Sequence, residues 1–181
     1  MGLPQGSVLS PILFNIFMHN LPTVVSNKTK LSQFADDISM NQNITLKSNT
    51  SKKSIQKIEK NYQTELDNIH HYLNENGLSL SLEKTKIILF NRGPDPPNIP
   101  NFKIGEFEIE NVKEITFLGL TLTSKLSWSN HFEKIINKCR NNINLLKVIA
   151  AQKWGKKKST LRTLAIALVR SKLTYAQEVF F

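Results

Sequence analysis

Two hydrophobic periods alternate along the chain. Ile12, Leu13, Ile16 and Phe17 fall on one face of a helix, and Leu21-Pro22 closes the segment. Ser10-Pro11 ahead of them supplies a helix start, with serine at the N-cap and proline at the first helical position. The period then changes. Leu31-Ser32-Gln33-Phe34 and Ile38-Ser39-Met40 are short β-prone runs that predict a tight hairpin tipped by Asp36 and Asp37. Asn41 to Lys53 is polar and reads as a loop. Ile55, Ile58, Tyr62, Leu66, Ile69 and Leu73 return to helical spacing, and Asn76-Gly77 closes that helix. His70 and His71 near its end read as surface residues beside the helix terminus.

Lys86-Ile87-Ile88-Leu89-Phe90 predicts a strand, stopped by Gly93-Pro94-Asp95-Pro96-Pro97. Phe107 to Glu110 and Ile115 to Leu122 alternate as a second hairpin, turning through Asn111-Val112-Lys113. Asn130 with Glu133 reads as a capping box for a helix whose stripe is Phe132, Ile135, Ile136, Cys139, Ile143, Leu146 and Ile149. Trp154-Gly155-Lys156-Lys157-Lys158 breaks it. Ser159 then caps a further helix carrying Leu161, Leu164, Leu168 and Arg170. The fold class expected is α+β.

Charge changes this picture at one end. The chain of 181 residues carries a net +10, and between Lys134 and Gln177 stand eleven Lys or Arg residues and no Asp or Glu. That asymmetry is the footprint expected of a binder of phosphate backbones, with a solvated helix surface or attraction to an anionic membrane surface as the bland alternatives. The single cysteine, Cys139, excludes a disulfide framework and reads as a small buried hydrophobe. No apolar run approaches the ~20 residues of a membrane span, and no secretory signal opens the sequence. The chain therefore reads as soluble and intracellular, cytoplasmic or nuclear, with no membrane partner and an oligomeric state the sequence leaves open.

The candidate chemistry lies at the first hairpin. Neighbouring strand side chains point to opposite faces, so Asp36 and Asp37 can share a site only at a turn. There they form a pair of hard oxygen donors suited to Mg²⁺, although Asp is also an ordinary turn residue. Upstream, Pro4-Gln5-Gly6-Ser7 is a loop in which Gly6 permits positive φ, feeding a helix N-terminus suited to a phosphate.

Gly2-Leu3-Pro4-Gln5-Gly6-Ser7-Val8-Leu9-Ser10-Pro11 followed by Phe34-Ala35-Asp36-Asp37 resembles motifs B and C of reverse transcriptases, closely those of non-LTR (LINE-type) retrotransposons. Asn76-Gly77-Leu78 with Glu83-Lys84-Thr85-Lys86 is similar to motif D, and Phe117-Leu118-Gly119 to motif E. The resemblance implies a partial polymerase palm over residues 1–122 and a basic helical thumb over 123–181. It implies an RNA template, a DNA primer and deoxynucleoside triphosphates as partners, and two Mg²⁺ ions in a complete enzyme. Asp36 and Asp37 would hold the metal. Gln5, Gly6 and Ser7 would contact nucleotide and template, and Lys84 would lie near the departing pyrophosphate as a proton donor. Phe117, Leu118 and Gly119 would form the primer grip. Lys134, Lys138, Arg140, Lys156, Lys157 and Lys158 would meet the nucleic-acid backbone.

Two positions depart from the pattern: Asn20 stands where relatives often carry an acid, and Tyr72 where a Trp is frequent. Family members add a third carboxylate from a motif A strand upstream of motif B. The sequence holds no such strand, so the expectation is a truncated, inactive polymerase fragment. The rival expectation is a non-catalytic nucleic-acid-binding fragment using its basic end. A splicing maturase is a third, disfavoured because no basic X-domain follows the thumb.

Overall fold

The computed structural model describes residue 4 and residues 6–44, 52–91, 93, 100–151 and 157–180, with side chains from 56 onward in the helix that begins at Lys52. Gln5, Ile55, Trp154 and Lys156 therefore lie outside what is described, as does most of the proline-rich segment after Phe90. The chain forms two compact units, one of Met1–Lys86 with Pro97–Glu110, the other of Ile87–Pro96 with Asn111–Phe181.

In the first unit α1 spans Ser10–Phe17, a 3₁₀ turn follows at Leu21–Val24, and β1 (Thr29–Phe34) pairs antiparallel with β2 (Asp37–Gln42). The long helix α2 runs Lys52–Glu75 and ends where Gly77 takes φ +70°. Only Gly or Asn adopts that left-handed conformation cheaply, so the sequence itself stops the helix. β3 is confined to Lys86–Ile87; Ile88 to Phe90, expected to extend it, have no ladder. β4 (Lys103–Ile104) and β5 (Phe107–Glu108) make a small hairpin.

Met18, Leu21, Ile69 and Leu73 are the buried centre of this unit, with Phe14, Leu31, Ile38, Met40 and Tyr72 packed around them. The face of α1 expected to be apolar and inward is mostly exposed: Ile12, Leu13, Ile16 and Phe17 all meet solvent. Phe14 and Met18 carry the packing instead, because the short helix turns a neighbouring stripe to the core. Its start also differs from expectation. Ser10 lies inside the helix, Leu9 occupies the cap position without a side-chain cap, and the Ser10 hydroxyl donates to the Pro4 carbonyl at 2.8 Å.

β6 (Glu110–Asn111) pairs with β3, and in the second unit β7 (Glu114–Phe117) pairs with β8 (Leu120–Thr123). The hairpin thus turns at Leu118-Gly119, not at Asn111-Val112-Lys113 as the polar stretch had indicated. Both turn residues have positive φ, +47° and +77°, which is the signature of a two-residue type I′ turn. Helix α3 covers Ser129–Ala151 and α4 Lys158–Ala165; a π-helical stretch, Ile166–Arg170, and one turn at Ser171–Leu173 continue α4.

Neither expected cap forms. Asn130 sits inside α3 and donates to Glu114 at 2.5 Å, and Ser159 lies within α4, behind the cap residue Lys157. The π stretch offsets carbonyls from their usual donors. Asn142 on α3 donates to one of them, Leu168 O, at 2.5 Å, and the Cys139 thiol lies 3.9 Å from Val169 O. Cys139 is buried as expected. Of the expected α3 stripe, Phe132, Ile136 and Ile143 are exposed; the covered line runs through buried His131 and Cys139 and half-buried Ile135, Asn142, Leu146 and Ile149.

Candidate functional site

The acidic pair stands at the outer end of β1–β2. Phe34 pairs with Asp37, so the two-residue turn is Ala35-Asp36, with Ala35 at φ +52°. Gln33 Nε2 donates to the Ala35 carbonyl at 3.0 Å and braces this turn. Asp36 and Asp37 are both exposed, and among the described residues neither has an ion-pair or hydrogen-bond partner in its side chain.

The hairpin carrying them is gripped by α2 along both strands. Glu65, itself buried, accepts hydrogen bonds from the Ser26 amide at 3.3 Å and from the hydroxyls of Ser26 and Thr29, at the root of β1. Tyr62, one helical turn away, donates to Met40 O of β2 at 3.3 Å and packs its ring 4.9 Å from Phe102. Burial, aided by the nearby Glu65 charge, pushes the Tyr62 phenol up to about 12. Gln63 meets β4 as a strand would: its amide donates to Lys103 O at 2.7 Å and accepts from Lys103 N at 3.0 Å.

The loop ahead of α1 holds Gly6 at φ +88° in open space, and the Ser7 carbonyl accepts from Ser10 N at 3.3 Å. Lys84 lies exposed in the turn before β3, its amide bonded to Ser81 O at 3.1 Å. Among the described residues no ion pair joins it to either aspartate.

In the second unit Phe117 is half-buried and Leu118 is exposed at the hairpin tip. The Tyr175 hydroxyl donates to Leu118 O at 2.8 Å. Lys138, Arg140, Lys157 and Lys158 are exposed. Lys134 is not a free cation: it pairs with Glu114 at 2.5 Å, and that bond, with a second from Asn130, holds the Glu114 carboxyl below the usual range. Buried His131 accepts from the Thr121 amide at 3.2 Å through Nδ1, which assigns its proton to Nε2. Burial, followed by the charges of Lys134 and Lys138, holds its pKa below the ordinary imidazole value.

A family model described as reverse transcriptase (RNA-dependent DNA polymerase) matches residues 1–122, the stretch that holds both hairpins. The chain belongs to that family. It is similar to the Retrovirus-related Pol polyprotein from type-1 retrotransposable element R1 of Nasonia vitripennis, 24% identical over 99% of this chain and 52% of the relative. A second such polyprotein from the same wasp, R1 2, is 23% identical over 99% of the chain and 43% of its own length. The RNA-directed DNA polymerase from mobile element jockey of Drosophila melanogaster is 27% identical over 78% of the chain and 15% of the relative. These relatives are non-LTR retrotransposon proteins, the branch that the motif order resembles. The chain spans about half the length, or less, of the curated relatives it matches. No solved structure matches it.

Reverse transcriptases generally use divalent metal ions, and the donor set can be tested against that need. Two adjacent exposed carboxylates supply hard oxygens for part of one octahedral shell, water supplying the remainder. Two ions ~4 Å apart require more negative charge than that pair offers. Among the described residues no group of three or more His, Cys, Asp or Glu side chains converges on such a site. By donor count, two carboxylates with water would complete the shell of one Mg²⁺ and fall short of a two-ion centre. No helix among the described residues is long and apolar enough to cross a membrane.

The residues that hold this reverse transcriptase hairpin in place, Tyr62 and Glu65, carried a legible signal. Positions 58, 62, 65, 69 and 73 share one helical stripe, and an acid on an apolar stripe demands partners. His131 is the same case on α3. Tyr175 carried no such signal.

Proposed function

We propose that this chain supplies the palm and thumb portions, about 1–122 and 123–181, of an RNA-directed DNA polymerase of a non-LTR retrotransposon. The observation that carries the reading is the Asp36-Asp37 pair, bare at the tip of a hairpin whose two strands are fixed from the side by Glu65 and Tyr62. Rigid strands beneath an unencumbered tip are what a metal-holding carboxylate pair requires. In the complete enzyme Asp36 and Asp37 would hold Mg²⁺, which would supply positive charge beside the transferring phosphate. The Lys84 ammonium stands in the motif D position, as proton donor to the departing pyrophosphate. Gln5, Gly6 and Ser7 contact nucleotide and template, the Phe117-Leu118-Gly119 tip contacts the primer 3′ end, and the RNA template and DNA primer lie along the cations of the thumb.

Those cations favour a second reading for the isolated chain, a nucleic-acid binder without catalysis. Lys138, Arg140, Lys157 and Lys158 are exposed. With about four phosphates neutralised, affinity for a primer–template falls roughly 100-fold between 50 and 200 mM salt.

One experiment separates the readings. The 181-residue chain is mixed with RNA template, DNA primer, Mg²⁺ and four deoxynucleotides, and extension and binding are both measured. The expected result is salt-sensitive binding without extension, together with Mn²⁺ broadening of the Asp36 and Asp37 resonances that Asp36→Asn removes. Extension by this chain, lost in Asp36→Asn, would overturn the claim that two carboxylates are too few. Absence of metal broadening at the tip would remove the catalytic reading and leave the binder.

A further inference from the structure

We propose that Tyr175 is the positioning residue of the primer-grip turn, fixing Leu118-Gly119 by a hydroxyl bond and a ring contact so that the tip meets the primer 3′ end in one conformation. This rests on the reading of Phe117-Leu118-Gly119 as the primer contact.

The turn is lightly built. Leu118 is a non-glycine residue at φ +47°, its side chain is exposed, and β7 and β8 are only four residues each. Among the described residues, one hydrogen bond reaches the tip's main chain from outside the hairpin: Tyr175 Oη to Leu118 O, 2.8 Å. The ring adds a second constraint. A Cβ built on Gly119 would lie 3.2 Å from Tyr175 Cε1 and 3.5 Å from its hydroxyl oxygen. Gly119 is thus favoured by its φ of +77°, and a side chain there would also press on the Tyr175 ring.

Tyr175 is itself well placed to hold the tip. It directly follows the helical stretch that carries Arg170 and Lys172, where the Thr174 amide closes onto Arg170 O at 2.9 Å and Ala176 reverses the chain at φ +52°. A fixed turn on one side and a basic segment on the other make Tyr175 the link between the cations that bind the duplex and the tip that meets its end. The lysines and arginines supply affinity, which is insensitive to where the primer ends; the tyrosine supplies register.

The two contributions separate experimentally. The 181-residue chain is titrated into a primer–template bearing 2-aminopurine at the primer 3′ terminus, with total binding followed by anisotropy of a dye at the far end. Amide exchange of Leu118, Gly119 and Leu120 is recorded alongside. Tyr175→Phe keeps the ring and removes only the hydroxyl. It is expected to leave anisotropy affinity unchanged and to lower the thermal midpoint by no more than about 4 °C, while the 3′-terminal fluorescence response falls about fivefold, the factor that one neutral hydrogen bond carries. The three tip amides should exchange faster by a similar factor. Gly119→Ala, which displaces the ring, should reproduce the fluorescence loss. A wild-type fluorescence response that Tyr175→Phe and Gly119→Ala both leave intact overturns the proposal while the primer-grip reading stands. Binding with no 3′-terminal response in the wild type overturns the primer-grip reading, and this proposal with it.

Discussion

The chain contains two β-hairpins with two-residue turns at the positions of family motifs, and they are stabilised in opposite ways. The β1–β2 hairpin is held along its length, by Glu65 at the root of β1 and Tyr62 on β2, and its Ala35-Asp36 tip carries no contact from another element among the described residues. The β7–β8 hairpin is held close to its turn, by His131 on the Thr121 amide and by Tyr175 on the tip itself. A tip that must present carboxylates to a cation cannot be covered, so its rigidity has to come from the strands. A tip that presents main chain and an apolar side chain can be clasped directly. Each hairpin has one buried anchor, Glu65 in the first and His131 in the second; the other anchors differ, Tyr62 being half-buried and Tyr175 exposed.

The largest break in this comparison is Glu65→Ala. It leaves the Ser26 amide and two hydroxyls without their acceptor in a buried pocket, a loss of ~2–3 kcal/mol for hydrogen bonds to a charged group. Urea unfolding followed by β1–β2 probes should shift by that amount, while Tyr175→Phe, at an exposed site, should move the equivalent β7–β8 probes by less than about 1 kcal/mol. Equal shifts would mean that the two hairpins are anchored alike.

Tyr62 gives a pH handle on the same anchor. Its phenol titrates at about 12 in the fold against 10.0 for the free side chain. A folded value above the unfolded one means the associated stability is complete below pH 10 and is lost as pH rises towards 12. The two-unit difference corresponds to about 3 kcal/mol by linkage. Alkaline unfolding of the first unit should therefore begin above pH 10, and Tyr62→Phe should blunt it. A phenol absorbance titration centred near 10 would show that Tyr62 is not desolvated.

The contrast between the hairpins also explains what was legible in the sequence. The first was readable because polar Asp36-Asp37 interrupts an alternating apolar run, although its turn is Ala35-Asp36, with Ala35 at positive φ and Asp37 already in β2. The second was misplaced because its turn contains an apolar Leu118, which alternation assigns to a strand interior, whereas the polar Asn111-Val112-Lys113 looked like the natural bend. Gly119 was the one residue a strand explained poorly, and it proved to be the turn. Helix caps at Ser10, Asn130 and Ser159 were misread for a different reason. A small polar residue near a helix start names only a candidate, and here the side chains of Ser10 and Asn130 found better partners at Pro4 and Glu114. The apolar face of α1 was readable as a stripe but not as exposed, because periodicity reports a face and not what covers it. The catalytic candidates Asp36, Asp37 and Lys84 came from motif order; no local physical signal distinguishes them from ordinary turn residues.

The smallest and sharpest prediction exchanges the two turns' chemistry. Ala35 and Gly119 both sit at positive φ, yet one is an alanine in open surroundings and the other a glycine under a ring. A left-handed conformation costs an L-residue ~1–2 kcal/mol, and a glycine returns ~0.5–1 kcal/mol of that through the greater freedom of its unfolded chain. Ala35→Gly should therefore stabilise the first unit by up to about 1 kcal/mol and leave Mn²⁺ broadening at Asp36 and Asp37 in place, since the Gln33 brace is made to the Ala35 carbonyl, which a glycine keeps. Gly119→Ala should do the reverse. It takes on the left-handed cost and adds a 3.2 Å encounter with Tyr175 Cε1, so the loss should exceed the ~1–2 kcal/mol of strain alone. In a Tyr175→Ala background the ring is gone and the Gly119→Ala cost should shrink towards the strain value, a coupling that a double-mutant cycle reads directly. Additive costs in that cycle, or a destabilised Ala35→Gly, would mean that the two tips do not differ as their contacts require.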